Sequence, residues 1–385
     1  MGILVVNAGS SSLKLRVLDD NDAVAGSADL PPPRDAADVG DLGAAIASLG
    51  PIRAVGHRIV HGGTLFSRPV VIDAAVEEQI RSLTDLAPLH QPKSLAALDA
   101  VSAALPGVPA VACFDTAFHA TIPPAASTYA LPPSWRQRWS LRRYGFHGLS
   151  HAYASQRAAS LLGATGGFRV VTCHLGAGAS LAAVLDGKSV DTTMGFTPLE
   201  GLVMATRSGS VDPGLLLWLE EHAGLKPHEL AETLESHSGL AGLAGTGDMR
   251  EVLERARSGD DSARLARDVY LHRLRGSVAA MAAAMNGLDA LVFTGGVGEN
   301  SAEIRARAVD GLGFLGVACD PGRNSAGSGD REIGTEAATV RTLVISARED
   351  IQIARQVRAT LKGGSRTSNQ AAPALLPEGE VEAVL

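Results

Sequence analysis

The sequence predicts an α/β fold made of two related halves, and three observations carry that reading. Short apolar runs alternate with stretches of helical length, the pattern of strands separated by helices. The device strand, Gly/Ser-rich loop, strand, turn occurs twice, once from Ile3 and again from Arg169. Three buried strands run straight into glycine-rich loops.

Taken in order, Ile3–Val6 is apolar and ends in Asn-Ala-Gly-Ser-Ser-Ser, after which Leu13–Leu18 alternates apolar and polar residues. This reads as strand, turn, strand. Ala54–Val60 and Val108–Phe114 are further buried strands, with helices expected between them at Ala74–Leu86 and Pro92–Ala103. A helix over Ser150–Leu162 precedes the second copy of the device. There Arg169–Cys173 is a β-branched run, His174–Ser180 a glycine loop, Leu181–Leu185 a strand and Asp186-Gly187 a turn. Helices follow at Pro213–Ala223 and Asp261–Met285. Ala290–Phe293 is a buried strand, Phe293–Asn300 a third glycine-rich loop, Val340–Ile345 a strand and Asp350–Leu361 a helix. From about Gly363 the chain is rich in Gly, Ser, Pro and Ala without periodicity, and disorder is expected.

A chain of 385 residues suits two domains, and 45% hydrophobic with 19% charged residues suits a substantial core. The net charge of -7 argues against nucleic acid as a partner. An anionic substrate must then be held by local cations or backbone N–H groups. Cys113, Cys173 and Cys319 form no C-x-x-C pair, so free thiols in a reducing cytoplasm are expected. The chain opens directly in MGILVVNAG, so no signal peptide is expected. No apolar run reaches the ~20 residues of a membrane span.

Glycine loops that follow strands bring backbone N–H groups close to phosphates. Each of the three here is also readable as an ordinary turn; together they point to a nucleotide polyphosphate site. The Walker A pattern is absent, since the sole Gly-Lys-Ser, Gly187–Ser189, has Ala182 where the first glycine belongs. The third loop does not complete a dinucleotide fingerprint. His57 with His61, and His147 with His151, are i, i+4 pairs, but Gly62-Gly63 ends any helix at the first and neither carries the Glu of H-E-x-x-H. Contacts to an anion or to backbone are favoured over zinc. Asp115, Arg207 and Glu349 lie beyond apolar runs or in Gly/Ser loops, where ligand crevices of α/β sheets form. A helix cap for Asp115 and a surface ion pair for Arg207 are the structural alternatives.

Taken together, VVNAGSSSLK at Val5–Lys14, GHRIVHGG at Gly56–Gly63, LAPLH at Leu86–His90, FDTAFH at Phe114–His119, YGFHGLSH at Tyr144–His151, TCHLGAGAS at Thr172–Ser180, DTTMGFTPLEGLVMATRSGSVDP at Asp191–Pro213 and FTGGVGENS at Phe293–Ser301 closely resemble the acetate kinase family, in the family's order and more loosely to about Arg355. The resemblance implies a duplicated ribonuclease H-like fold of the sugar-kinase, Hsp70 and actin type, with a nucleotide cleft between two domains. Domain I would be 1–119 plus 350–385 and domain II 120–349. It implies an ATP:acetate phosphotransferase, dependent on Mg2+ (or Mn2+ in its place), cytoplasmic and homodimeric.

Carried over residue by residue, the resemblance implies that Asn7, Ser10, Ser12 and Lys14 form the first phosphate loop, with Asn7 and Glu349 at the metal. Arg58 and Arg207 would clamp the acetate carboxylate and the migrating phosphoryl group, His147 would hydrogen-bond that group with His90 nearby, and Asp115 would orient the carboxylate or the metal. His174, Leu175, Gly176, Ala177 and Gly178 would line the β- and γ-phosphates. Asp248, Met249 and Arg250, with Gly296, Val297, Gly298, Glu299 and Asn300, would surround the adenosine. Val60, Leu89, Phe146 and Pro198 would receive the methyl group. Two departures stand out: Ala177 where the family usually has Asn, and Arg348 where it often has Asn. Kinases of propionate or butyrate share this machinery. Ala177 also admits a pyrophosphate-using homologue. A non-enzymatic module of the actin or Hsp70 kind would need none of Arg58, Arg207 and His147 around an acyl pocket.

Overall fold

The computed structural model describes residues 2–9, 12–31, 39–88 and 91–363. Ser10, Leu89, His90 and the tail expected to be disordered, from 364 onward, lie outside the described residues.

Among the described residues the first sheet holds β1 (Ile3–Ala8), β2 (Leu13–Leu18), β3 (Val24–Leu30), β4 (Ala54–Ile59), β5 (Val70–Val71) and β6 (Ala110–Phe114), in the order β3-β2-β1-β4-β6-β5. The second holds β7 (Arg169–Leu175), β8 (Ala179–Leu185), β9 (Lys188–Thr192), β10 (Ala290–Thr294), β11 (Arg331–Glu332) and β12 (Arg341–Val344), in the order β11-β12-β10-β7-β8-β9. Read from its other edge, the second order matches the first strand for strand. The hairpins β1-β2-β3 and β7-β8-β9 are antiparallel, β4 and β6 lie parallel beside β1, and β10 and β12 lie parallel beside β7. The edge strands β5 and β11 are antiparallel to their neighbours. Each half even carries a register shift in the same pairing, at Val17/Leu18 and at Ala183/Val184. The duplication expected from the repeated device is borne out.

The central strands are apolar on both faces because helices cover both sides. One buried cluster joins the halves. It takes Ile3, Val5 and Cys113 from the first sheet, Val170, Val184 and Val292 from the second, and residues of two helices, Gly148–Leu162 and Glu349–Gly363, laid between them. The second helix seats against the first sheet so closely that a Cβ at Gly56 would lie 2.5 Å from Ile353.

The expected helices form at Ala74–Ser82, Gln91–Ala104, Gly148–Leu162, Pro213–Ala223, Asp261–Ala284 and Glu349–Gly363. The third glycine-rich segment corrects the reading. It is not an open loop; Gly295–Asn300 is itself a short helix starting at the end of β10. Among the described residues no helix is long and apolar enough to cross a membrane.

Candidate active site

Both duplicated hairpins turn toward one cleft of about 660 Å3. The β1–β2 turn closes with Gly9 N–H donating to the Ser12 carbonyl at 2.8 Å, and the β7–β8 turn with Gly176 N–H donating to the Gly178 carbonyl at 3.0 Å. Ser12 and Gly178 both line the cleft.

From the first half, Asn7 ends the apolar part of β1, Arg58 lies on β4 and Asp115 follows β6. The parallel pairing of these three strands brings the groups together. Arg58 donates to Asp115 Oδ2 through Nη2 at 2.5 Å and Nε at 3.1 Å, and through Nη1 to Asn7 Oδ1 at 3.1 Å. The Asn7 amide donates to Glu349 Oε2 at 2.7 Å. Asp115 is therefore neither a cap nor exposed; it is 1% accessible and fixes Arg58 by a two-atom fork. Burial pushes its carboxyl above the usual range while Arg58 opposes that. Burial would also raise Glu349, but Arg58, His174 and the Asn7 amide outweigh it and hold this carboxylate below its ordinary value.

From the second half come His147, His174 and Arg207. Gly148 begins the helix Gly148–Leu162 where a Cβ would stand 2.1 Å from the Asp115 carbonyl, and its N–H donates to that oxygen at 3.0 Å. Only glycine allows this approach, which places His147 beside the end of β6. His147 itself adopts φ 55°, a left-handed conformation uncommon for a side-chain-bearing residue. Its ring lies 4.5 Å from that of His174. Burial first, then the neighbouring His174, His151, Arg58 and Arg207, keep the His147 imidazole neutral at pH 7. Arg207 is held from three sides: Nη1 donates to the Pro198 carbonyl at 3.1 Å and contacts Met204 Sδ at 3.7 Å, and Nε pairs with Glu235 at 3.2 Å.

Val60, Phe146 and Pro198 form an apolar wall of the same cleft. Lys14, Gly296, Glu299, Asn300 and Glu349 line it as well. Gly296 and Asn300 also border a second cavity of about 790 Å3, walled by Gly176, Ala177, Leu240, Asp248, Met249, Arg250, Leu253, Tyr270 and Val297. Asp248 caps the helix Met249–Arg257 by accepting from Arg250 N–H at 2.9 Å. Among the described residues, two expected ones line neither cavity. Leu175 packs into the second half's core, and Gly298 offers its carbonyl to Arg305 at 2.9 Å. Arg348, the second departure, pairs with Asp350 at 2.9 Å at the cleft's edge.

Sequence reasoning missed Glu235, Arg305 and Ser180. Ser180 carried a signal, as the last residue of the second glycine loop. Glu235 and Arg305 carried none, lying in helices read from no motif.

Two sheets of identical topology, presenting hairpin turns and paired cations to one cleft, define the nucleotide-binding fold of the sugar-kinase, Hsp70 and actin kind. Residues 41–355 match the Acetokinase family, and the chain belongs to it. It is 46% identical over 394 residues to the acetate kinase of Leifsonia xyli subsp. xyli, covering 94% of this chain and 99% of that one. With the acetate kinase of Microcystis aeruginosa it shares 49% over 313 residues, 81% of this chain and 78% of the other. The crystal structure of Porphyromonas gingivalis acetate kinase superposes with a TM-score of 0.86 at 37% identity, covering 94% and 99% of the two chains. A propionate kinase from Francisella tularensis gives 0.86 at 36% identity, covering 93% and 99%.

Proposed function

We propose that this chain moves the γ-phosphoryl group of ATP onto acetate, reversibly and in line, giving acetyl phosphate and ADP. The observation that carries the reading is the meeting of Arg58 and Arg207, one from each half, with neutral His147 beside a small apolar wall. Phosphoryl transfer is limited by positioning and charge neutralisation. Acetate is already an anion at pH 7, so no strong base is required. Arg58, immobilised by Asp115, offers a preset positive charge to the acetate carboxylate. Arg207 faces the phosphoryl oxygens that gain charge in flight, and His147 donates a hydrogen bond to them. Val60, Phe146 and Pro198 enclose the methyl group. The second cavity receives the adenosine, and the turns Asn7–Lys14 and His174–Gly178 cradle the phosphates.

The Glu349 carboxylate is a hard oxygen donor that fits a cation completed by waters and phosphates, whereas the Asn7 amide oxygen accepts from Arg58 at 3.1 Å and would have to leave that bond to join it. Bound there, Mg2+ or Mn2+ would offset charge on the β- and γ-oxygens.

The proposed domains are 1–119 with 350–385, and 120–349. The helix Pro213–Ala223 buries none of its residues and leaves Leu217 60% and Trp218 53% exposed, which supports a homodimer through that face. The free cysteines suit a reducing cytoplasm.

A coupled assay with ATP and acetate, propionate or butyrate tests the reading. Acetate should lead in kcat/KM. The Francisella relative makes propionate kinase the second reading, since one methylene is worth only ~1–3 kcal/mol in such a pocket. A leading propionate value would favour it; no transfer to any of the three acids would end the proposal.

A further inference from the structure

Behind His147 runs a line of buried polar side chains. His147 Nδ1 meets Ser180 Oγ at 2.9 Å, Ser180 Oγ meets His151 Nε2 at 2.8 Å, and His151 Nδ1 meets Thr172 Oγ1 at 2.7 Å. Thr172 comes from β7, Ser180 from β8 and His151 from the helix Gly148–Leu162; all three are fully buried. Both imidazoles stay neutral, burial being the main cause.

A hydroxyl has one proton to give, and a neutral imidazole has one N–H and one acceptor nitrogen. Ser180 touches an imidazole nitrogen on either side, so it donates to one and accepts from the other. The direction of any one bond then sets the direction of all. Thr172 sets it. If His151 carried its proton on Nδ1 it would donate to Thr172 Oγ1 at 2.7 Å and leave the Thr172 hydroxyl only the Ala182 carbonyl, at 3.5 Å. The second distance is at the outer limit of a hydrogen bond, so the proton points to His151. His151 must then carry its own proton on Nε2 and donate it to Ser180. Ser180 donates to His147 Nδ1. His147 is left with its proton on Nε2, the ring nitrogen remaining for the cleft.

We propose that Thr172, His151 and Ser180 are positioning residues that fix His147 as the Nε2–H tautomer and so aim a neutral donor at the phosphoryl oxygens. The proposal rests on the phosphoryl-transfer reading of the cleft. The opposite tautomer would turn a lone pair toward an anion. A donor already in place costs no reorganisation when charge develops, and the partner of one ring nitrogen decides the state of the other.

The test uses the full chain labelled with 15N, reading the His147 ring nitrogens by long-range 1H–15N correlation. Thr172→Val keeps the shape and removes the hydroxyl, Thr172→Ser keeps the hydroxyl, and Ser180→Ala cuts the line beside His147. The wild type and Thr172→Ser should show Nε2–H. Thr172→Val and Ser180→Ala should show mixed tautomers, with kcat lowered by roughly 10–100-fold, the range seen when a metal-bound histidine loses its outer hydrogen-bond partner. The KM for ATP should move far less. Nδ1–H in the wild type, or unchanged Nε2–H in Thr172→Val, overturns the proposal; Thr172→Val decides even if the Ser180 variant does not fold. Mixed tautomers with undiminished kcat would support the relay and remove His147 from phosphoryl transfer, so the two failures are separable.

Discussion

Arg207 and Glu235 have side chains only 17% and 15% accessible, so their pair is not a solvated surface contact. Arg207→Ala should lower kcat by roughly 10³–10⁵ while changing the KM for ATP little, because an arginine meeting charge in flight favours the transition state. Lysine should restore little, having no planar fork. Steady-state kinetics on folded protein decides: a kcat within a few-fold of wild type would take Arg207 out of the mechanism. Glu235→Gln keeps the shape but loses the charge that pulls on Nε. It should cost less than the arginine itself, about tenfold in kcat, by analogy with the outer partners that orient metal ligands. Arg58, Asp115, Arg207 and Glu349 were legible because each lies beyond a strand end or inside a motif. Glu235 was not, because its helix Pro227–Ser236 has no distinguishing pattern and the pairing is made through space.

Among the elements, the short helix Gly295–Asn300 depends on a residue outside it. Arg305 is 1% accessible and donates to the carbonyls of Gly298 at 2.9 Å and Glu299 at 2.7 Å, and to the side chain and carbonyl of Asn324, each at 2.7 Å. Burial lowers its pKa to about 10, which still leaves it charged at pH 7. A cation at a helix C-terminus satisfies carbonyls that have no partner within the helix. Arg305→Met strips these bonds from buried acceptors. It should destabilise the protein by roughly 3 kcal/mol and raise the KM for ATP more than it lowers kcat. Urea melts and kinetics check both halves of that statement. An arginine in a helical stretch reads from sequence as solvent-facing, and only the tertiary contacts reverse this. The edge strands escaped the reading for a related reason. Val24–Leu30 has no fully buried residue, so it lacks the apolar run that marked the central strands.

At the scale of the molecule, the repeated device made the duplication legible, whereas the matched register shifts arise from pairings no single segment encodes. Closure of the proposed domains on nucleotide should shrink the radius of gyration. Identical scattering profiles with and without ADP, acetate and a phosphoryl mimic would argue for a rigid cleft. Acid sensitivity follows from the histidines. Burial lowers His57, His61 and His119 from 6.5 to about 4. Above pH 6.5 folded and unfolded chains both hold them neutral and their contribution is complete. Between pH 6.5 and 4 the unfolded chain binds protons that the folded one refuses, so stability falls as pH falls, by about 1.4 kcal/mol per unit for each histidine. Below 4 the folded state protonates too and the loss levels off. Together these losses amount to several kcal/mol, a large part of a folding free energy, so stability should fall steeply toward pH 4. Melting temperatures taken from pH 7 to 4.5 should drop steeply, and a flat profile would contradict the burial of these rings.

The helix Glu349–Gly363 packs on β1, β4 and β6, all of which leave the ribosome long before it does. At ~5–20 residues per second, roughly 10–50 s pass between the emergence of β6 and that of its cover. During that interval Val5, Val111 and Cys113 lack the cover of this helix, and only Gly148–Leu162 is available to pack near them. The nascent first half is thus a natural client for a holding chaperone, and slow translation of the second half would lengthen its exposure.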